Sequence, residues 1–292
     1  MHIILERCFI MFTPAEVANN VIGIGKAKAG NKPYKLFLLG ILAGMFIAMA
    51  AVGANTASAT LTGSVGKLVG ACIFPVGLLM VLVAGSELFT GNNLIIVSVL
   101  TGDVKWGAML KNWGIVYFGN FVGSILVALI ACYCGQFGLF DGAVAATTIS
   151  VATGKANLAF GPAILKGIAC NFLVCIAVWM SFAAKSVGGK LAAVYLPIML
   201  FVLAGFEHSV ANMYYVPAGL FAAKATGAAP EGLTWGNFFV NNLIPVTIGN
   251  IIGGAILDGV MYWAIYLADA KNKEDKLFLV DVILLLLYNK GA

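Results

Sequence analysis

Glu207 and His208 stand side by side, with Asn212 one helical turn further on, inside an apolar stretch of membrane length. An imidazole both donates and accepts hydrogen bonds near neutral pH. An ionisable residue at bilayer depth is costly, and it marks a solute path, a proton relay or a paired charge. The surrounding pattern also occurs twice. Gly205-Phe-Glu207-His208-Ser-Val-Ala-Asn212 follows Gly85-Ser-Glu87-Leu-Phe-Thr90-Gly-Asn92 by 120 positions. Each is a polar break in an apolar helix, and hydrocarbon has no water to satisfy the backbone groups that a break frees. Such segments survive only where they are buried in protein or line an aqueous cavity. Two matched breaks therefore point to a path across the membrane. Read alone, His208 fits a hydrogen-bonded core histidine equally well.

Other chemistries are poorly supplied. The six cysteines lie mostly in apolar runs without C-x-x-C spacing, so they read as reduced packing residues rather than a disulfide framework or a metal site. No second intramembrane histidine, nucleophile–base pair or P-loop accompanies His208. The chain is expected to be neither an enzyme nor an ATP-driven pump, and no metal or cofactor is expected.

The elements that carry the two breaks follow from composition. Of 292 residues, 61% are hydrophobic and only 10% charged, against about 25% charged in soluble domains. This is an all-α integral membrane chain. About 20 apolar residues cross a bilayer, and six stretches qualify: 35–56, 68–99, 110–133, 160–183, 192–222 and 238–268, the second and fifth interrupted by the breaks. Thr13-Pro14-Ala15-Glu16 has the form of a capping box and predicts a short surface helix ahead of the first span. Residues 1–12 are too short to span and lack a cleavable small-residue site, with Met11 a second candidate start. The apolar tail 277–288 is also too short and carries Asp281. The chain thus divides into a membrane domain over 13–269, an N-terminal extension 1–12 and a C-terminal tail 270–292.

With both termini cytoplasmic, thirteen of the 17 basic residues fall inside and only Lys67, Lys155, Lys166 and Lys224 outside. This obeys the positive-inside rule. The net charge of +5 therefore reports topology, and no nucleic acid partner is expected. The duplication continues past the breaks: Asn112-x6-Gly119-Asn120-x-x-Gly123 matches Asn242-x6-Gly249-Asn250-x-x-Gly253, and Gly40 and Gly44 correspond more loosely to Gly167 and Asn171. Three spans per half invert the second half, an arrangement that puts solute sites at the repeat interface. The glycine and asparagine pairs also suit plain helix packing.

Five motifs in order resemble the formate/nitrite transporter family: Gly85 to Asn92, Asn112 to Asn120, Cys170-Asn171-Phe-Leu-Val-Cys175 to Met180, Gly205 to Met213, and Asn242 to Gly254. The resemblance implies a homopentamer in the cell membrane, with an aquaporin-like six-helix pore in each protomer. It further implies passive or proton-linked passage of a small monovalent weak-acid anion. Formate is the first expectation, and hydrosulfide and nitrite are alternatives. An aquaporin-like channel for neutral solutes is a rival of another kind, though paired Asn-Pro-Ala boxes are absent.

By the same resemblance His208 and Thr90 stand at the pore centre, with Asn171 orienting His208. Lys155, expected in an outer loop between spans 3 and 4, attracts anions, and Phe74, Leu78, Phe89 and Phe201 narrow the pore. Glu87 and Glu207 would repel an anion. They are expected to point away and, with Asn92 and Asn212, to support the broken helices.

Overall fold

The computed structural model describes residues 11–268. The extension 1–12, save its last two residues, and the tail 270–292 lie outside them. Ten principal helices make up the described chain: α1 (Pro14–Gly30), α2 (Pro33–Ser58), α3 (Gly63–Gly85), α4 (Gly91–Leu100), α5 (Trp106–Tyr133), α6 (Ala143–Ala156), α7 (Phe160–Ala183), α8 (Val187–Ala204), α9 (Ser209–Thr226) and α10 (Trp235–Tyr266). Six of them (α2, α3, α5, α7, α8 and α10) are long and apolar enough to cross a membrane. The second and fifth spans are interrupted as expected, α3 being followed by α4 and α8 by α9.

The capping box at Thr13 forms. Thr13 Oγ1 accepts from Glu16 N, and the Glu16 carboxylate accepts from Thr13 N at 2.7 Å. The backbone and hydroxyl donors of Thr13 hold the exposed Glu16 carboxyl below its ordinary range. Helix α1 buries Val17, Ala18, Val21 and Gly25 against α4.

One segment departs from expectation. The stretch between the third and fourth spans, expected as an outer loop, contains helix α6. Val144, Thr148, Ala152 and Ala156 recur every fourth residue and are buried, so α6 presents one apolar face and packs on α9. It stands to the second half as α1 stands to the first. Lys155 therefore lies in the last turn of a packed helix rather than in a solvated loop.

Each half is clamped by a close helix crossing, α2 on α5 and α7 on α10. A Cβ at Gly119 would come 2.7 Å from Phe37 O, and one at Gly167 2.7 Å from Val246 O. Backbones at that range admit only glycine. Large apolar side chains such as Leu38, Phe118, Leu165, Leu196 and Ile265 remain exposed, as expected of a surface turned to lipid or to a neighbouring subunit.

Candidate functional site

Both breaks start from glycine in the left-handed region, Gly85 at φ +82° and Gly205 at φ +73°, which stops the helix without side-chain strain. The freed backbone is then satisfied twice by the same device. Asn120 Oδ1 accepts from Phe89 N at 2.9 Å, while its Nδ2 donates to Glu87 O and Gly40 O. Asn250 Oδ1 accepts from Ser209 N at 2.9 Å, while its Nδ2 donates to Glu207 O and Gly167 O. Glu87 N and Glu207 N donate to Leu39 O and Lys166 O. The asparagines of the third and sixth spans do more than pack: they replace the water that the bilayer lacks.

The carboxylates repeat as well. Glu87 Oε2 accepts from Lys28 Nζ at 2.8 Å and Asn92 Nδ2 at 2.7 Å, and Asn92 Nδ2 also reaches Asn112 Oδ1. Glu207 Oε2 accepts from Lys155 Nζ at 2.9 Å and Asn212 Nδ2 at 2.7 Å, and Asn212 Nδ2 also reaches Asn242 Oδ1. Two expectations change here. The glutamates do not support the broken backbone, a task taken by Asn120 and Asn250. Nor do they point away from open space, because each lines a cavity with its charge balanced by a lysine. Lys155 is correspondingly an ion-paired side chain, 16% exposed, with its ammonium 5.2 Å from the centre of the Tyr215 ring.

Where the breaks meet, Thr90 Oγ1 and His208 Nε2 are 2.9 Å apart, both groups buried. His208 caps α9, its Nδ1 accepting from Ala211 N at 3.0 Å. That bond occupies the Nδ1 lone pair, so the neutral ring carries its proton on Nε2, aimed at Thr90. Asn171 does not orient His208. Its Nδ2 lies 2.7 Å from Asn250 O, 2.8 Å from Asn93 Oδ1 and 3.3 Å from Thr90 O. It thus fixes the first break from the opposite side, helped by Cys175 Sγ, which donates to the same Thr90 carbonyl.

Two cavities approach this contact. One of about 620 Å³ is lined by Phe74, Phe201, His208, Tyr215, Lys67, Lys155 and Lys166. The other, of about 370 Å³, is lined by Leu78, Leu88, Lys28, Lys35 and Glu87. The linings share no residue, and Thr90 belongs to neither. Phe74 packs edge-on to Phe201 at 5.8 Å, and Phe201 stacks on His208 at 5.9 Å. Phe89, expected among the narrowing residues, turns instead to Tyr117 and Trp113, at ring distances of 4.9 and 6.0 Å. The neighbouring Leu88, the repeat counterpart of His208, takes the cavity-lining place. Asp258 in α10 is also buried, with neither carboxyl oxygen hydrogen-bonded among the described residues.

A family model for the formate/nitrite transporter matches residues 15–264. The chain belongs to the formate/nitrite transporter family. Among relatives it is 42% identical over 278 residues to the formate channel FocA of Escherichia coli (strain K12), covering 90% of this chain and 98% of that one. It is 39% identical over 269 residues to the uncharacterized transporter YrhG of Bacillus subtilis (strain 168), covering 90% and 97%. Among solved structures it matches a pentameric formate channel with formate bound, at 39% identity and a TM-score of 0.71, covering 80% of this chain and 98% of that one. A second match is an FNT family ion channel at 29% identity and a TM-score of 0.78, covering 86% and 98%. Six apolar spans in a member of the formate/nitrite transporter family make this a multi-pass membrane protein.

Lys28, Leu88 and Asn93 escaped the sequence reading. Lys28 and Lys155 are separated by the same 127 positions as Gly40 and Gly167. Extending the repeat back to α1 would have paired them.

Proposed function

We propose that residues 13–269 form a transport unit conducting formate across the cell membrane. Each chain of a homopentamer carries its own pore, with both termini in the cytoplasm. The repeat orders the two halves as inverted copies, and the chain acts without enzymatic turnover. The observation that carries this reading is the buried contact between Thr90 Oγ1 and His208 Nε2, the one place where the two helix breaks offer side-chain hydrogen-bond partners to each other between the two cavities.

The anion collects in the larger cavity, which faces outward under the basic-residue count, and meets the collar of Phe74 and Phe201. An apolar collar opposes a bare charge far more strongly than a neutral acid. Past it, formate inserts between His208 and Thr90, accepting from Nε2–H and from the hydroxyl while its hydration shell is stripped. Leu78 and Leu88 form the second collar, and the smaller cavity releases the solute. Lys155 and Lys28 act as counterions that let Glu207 and Glu87 stand in an anion path without repelling the passenger. Asn92 and Asn212 hold those carboxylates, and Asn171 holds Thr90.

Reconstitution in liposomes tests this. Flux of formate, nitrite, hydrosulfide and chloride is measured under matched gradients at several pH values. Formate is expected to move fastest, and faster as the supply side is acidified. Selective hydrosulfide or nitrite flux would move the substrate within the family. Water or glycerol permeation without anion flux would sink the anion reading.

A further inference from the structure

We infer that Lys67 and Lys166, not the ion-paired Lys155, form the anion-loading site of the larger cavity. The inference rests on the anion-transport reading and assigns the residues that feed it. Four charged side chains line this cavity: Lys67, Lys155, Lys166 and Glu207. Lys155 and Glu207 neutralise each other at 2.9 Å, and Lys155 spends part of its remaining field on the Tyr215 ring. Among the described residues neither Lys67 nor Lys166 has a carboxylate partner. The two positive charges left in the cavity are therefore theirs.

Their placement suits the task. Lys67 comes from α3 and Lys166 from α7, and both meet the second break at its outer edge. A Cβ on Gly205 would lie 2.8 Å from Lys67 Nζ, so the missing side chain leaves room for an ammonium directly over the residue that ends α8. Lys166 accepts through its carbonyl from Glu207 N, which ties its backbone to the residue preceding His208. Two lysines from separate helices thus line the cavity that also holds Phe201 and His208, with the Lys67 ammonium over Gly205. A carboxylate anion with two acceptor oxygens is the ligand that such a pair recruits. Low-dielectric walls concentrate the field of unpaired charges and raise the local anion concentration. Salt screens that field beyond about 8 Å at physiological strength. The smaller cavity holds Lys28 and Lys35 against Glu87, one net charge fewer, so loading is stronger from the larger cavity.

The competing role for Lys67 is structural: its ammonium lies beside the carbonyl end of α8, where a cation offsets the helix dipole. The test separates the two. Formate uptake into liposomes is measured against formate concentration, at low and at high ionic strength, for the native chain, the double variant K67Q/K166Q and the charge-keeping K67R/K166R. The loading role requires the glutamine pair to raise half-saturating formate by about three- to tenfold at low salt. That rise must fade at high salt, with maximal flux kept and the arginine pair close to native. An unchanged half-saturation and salt dependence in K67Q/K166Q would overturn the inference while leaving formate transport intact. So would a lower maximal flux and melting temperature with half-saturation unmoved, which is the signature of a lost helix cap. A native chain that carries no formate would overturn the transport reading itself, and the loading site with it.

Discussion

His208 uses its two ring nitrogens for two separate purposes, and this makes its contribution divisible. Nδ1 caps α9 by accepting from Ala211 N, while Nε2 faces Thr90 and, in the proposed pathway, the anion. Asparagine is among the strongest N-cap residues, and its short amide reaches the cap but not the Nε2 position. His208→Asn is therefore expected to melt within a few degrees of the native protein in detergent. Its formate flux in liposomes is expected to fall about 10- to 100-fold, because a charge-assisted hydrogen bond of about 1.5–3 kcal/mol is lost where no water replaces it. His208→Ala loses the cap too and is expected to cost a further ~1 kcal/mol of stability. A His208→Asn protein that conducts like the native one, with the same pH profile, would remove the histidine from the mechanism.

The lysine–glutamate pairs join elements, so their energetics belong to the helices they connect. Glu207→Gln leaves the Lys155 ammonium, 16% exposed, without its counterion beneath α9. Breaking one side of a buried pair costs about 3–5 kcal/mol. Glu87→Gln strands Lys28, which is 25% exposed and better hydrated, so its cost is expected to be smaller. Thermal unfolding of both single variants and of K155Q/E207Q checks this: the double variant should recover part of the loss, and equal costs for the two glutamates would contradict the burial argument. The six spans, the two breaks and the duplication were legible because a 20-residue apolar period, Gly-x-Glu spacing and Gly-Asn pairs are local patterns. Helix α6 was not read, since one valine, one threonine and two alanines at every fourth position give a weak apolar face. The true partners of Asn171 and Lys155 were not legible either. Which of several neighbouring atoms a buried amide or ammonium meets depends on how helices distant in sequence cross, and Thr90, Asn93 and Asn250 reach Asn171 from two different helix pairs. Phe89 and Leu88 show the same limit at one-residue resolution, because a broken helix has no fixed period to say which side chain faces the cavity.

Every group of the proposed pathway comes from a single chain: Thr90 and His208 from its two breaks, one cavity on either side of them, and both lysine–glutamate pairs. In the proposed pentamer, assembly therefore adds contacts on the outer apolar surface and no group to this pathway. Leu38, Phe118, Leu196 and the other exposed apolar residues can meet lipid or a neighbouring protomer with the same solvation benefit. The protomers of the proposed pentamer are therefore expected to conduct independently. Co-expressing native and His208→Asn chains at varied ratios, with the ratio in purified oligomers read by mass spectrometry, should give formate flux that falls linearly with the fraction of variant. A common path between protomers would instead let one altered subunit impair all the others. Flux would then fall as a steep power of the native fraction. A curved dependence of that kind, with oligomers intact, would place the conducting path between chains and leave the Thr90–His208 contact as an internal structural bond.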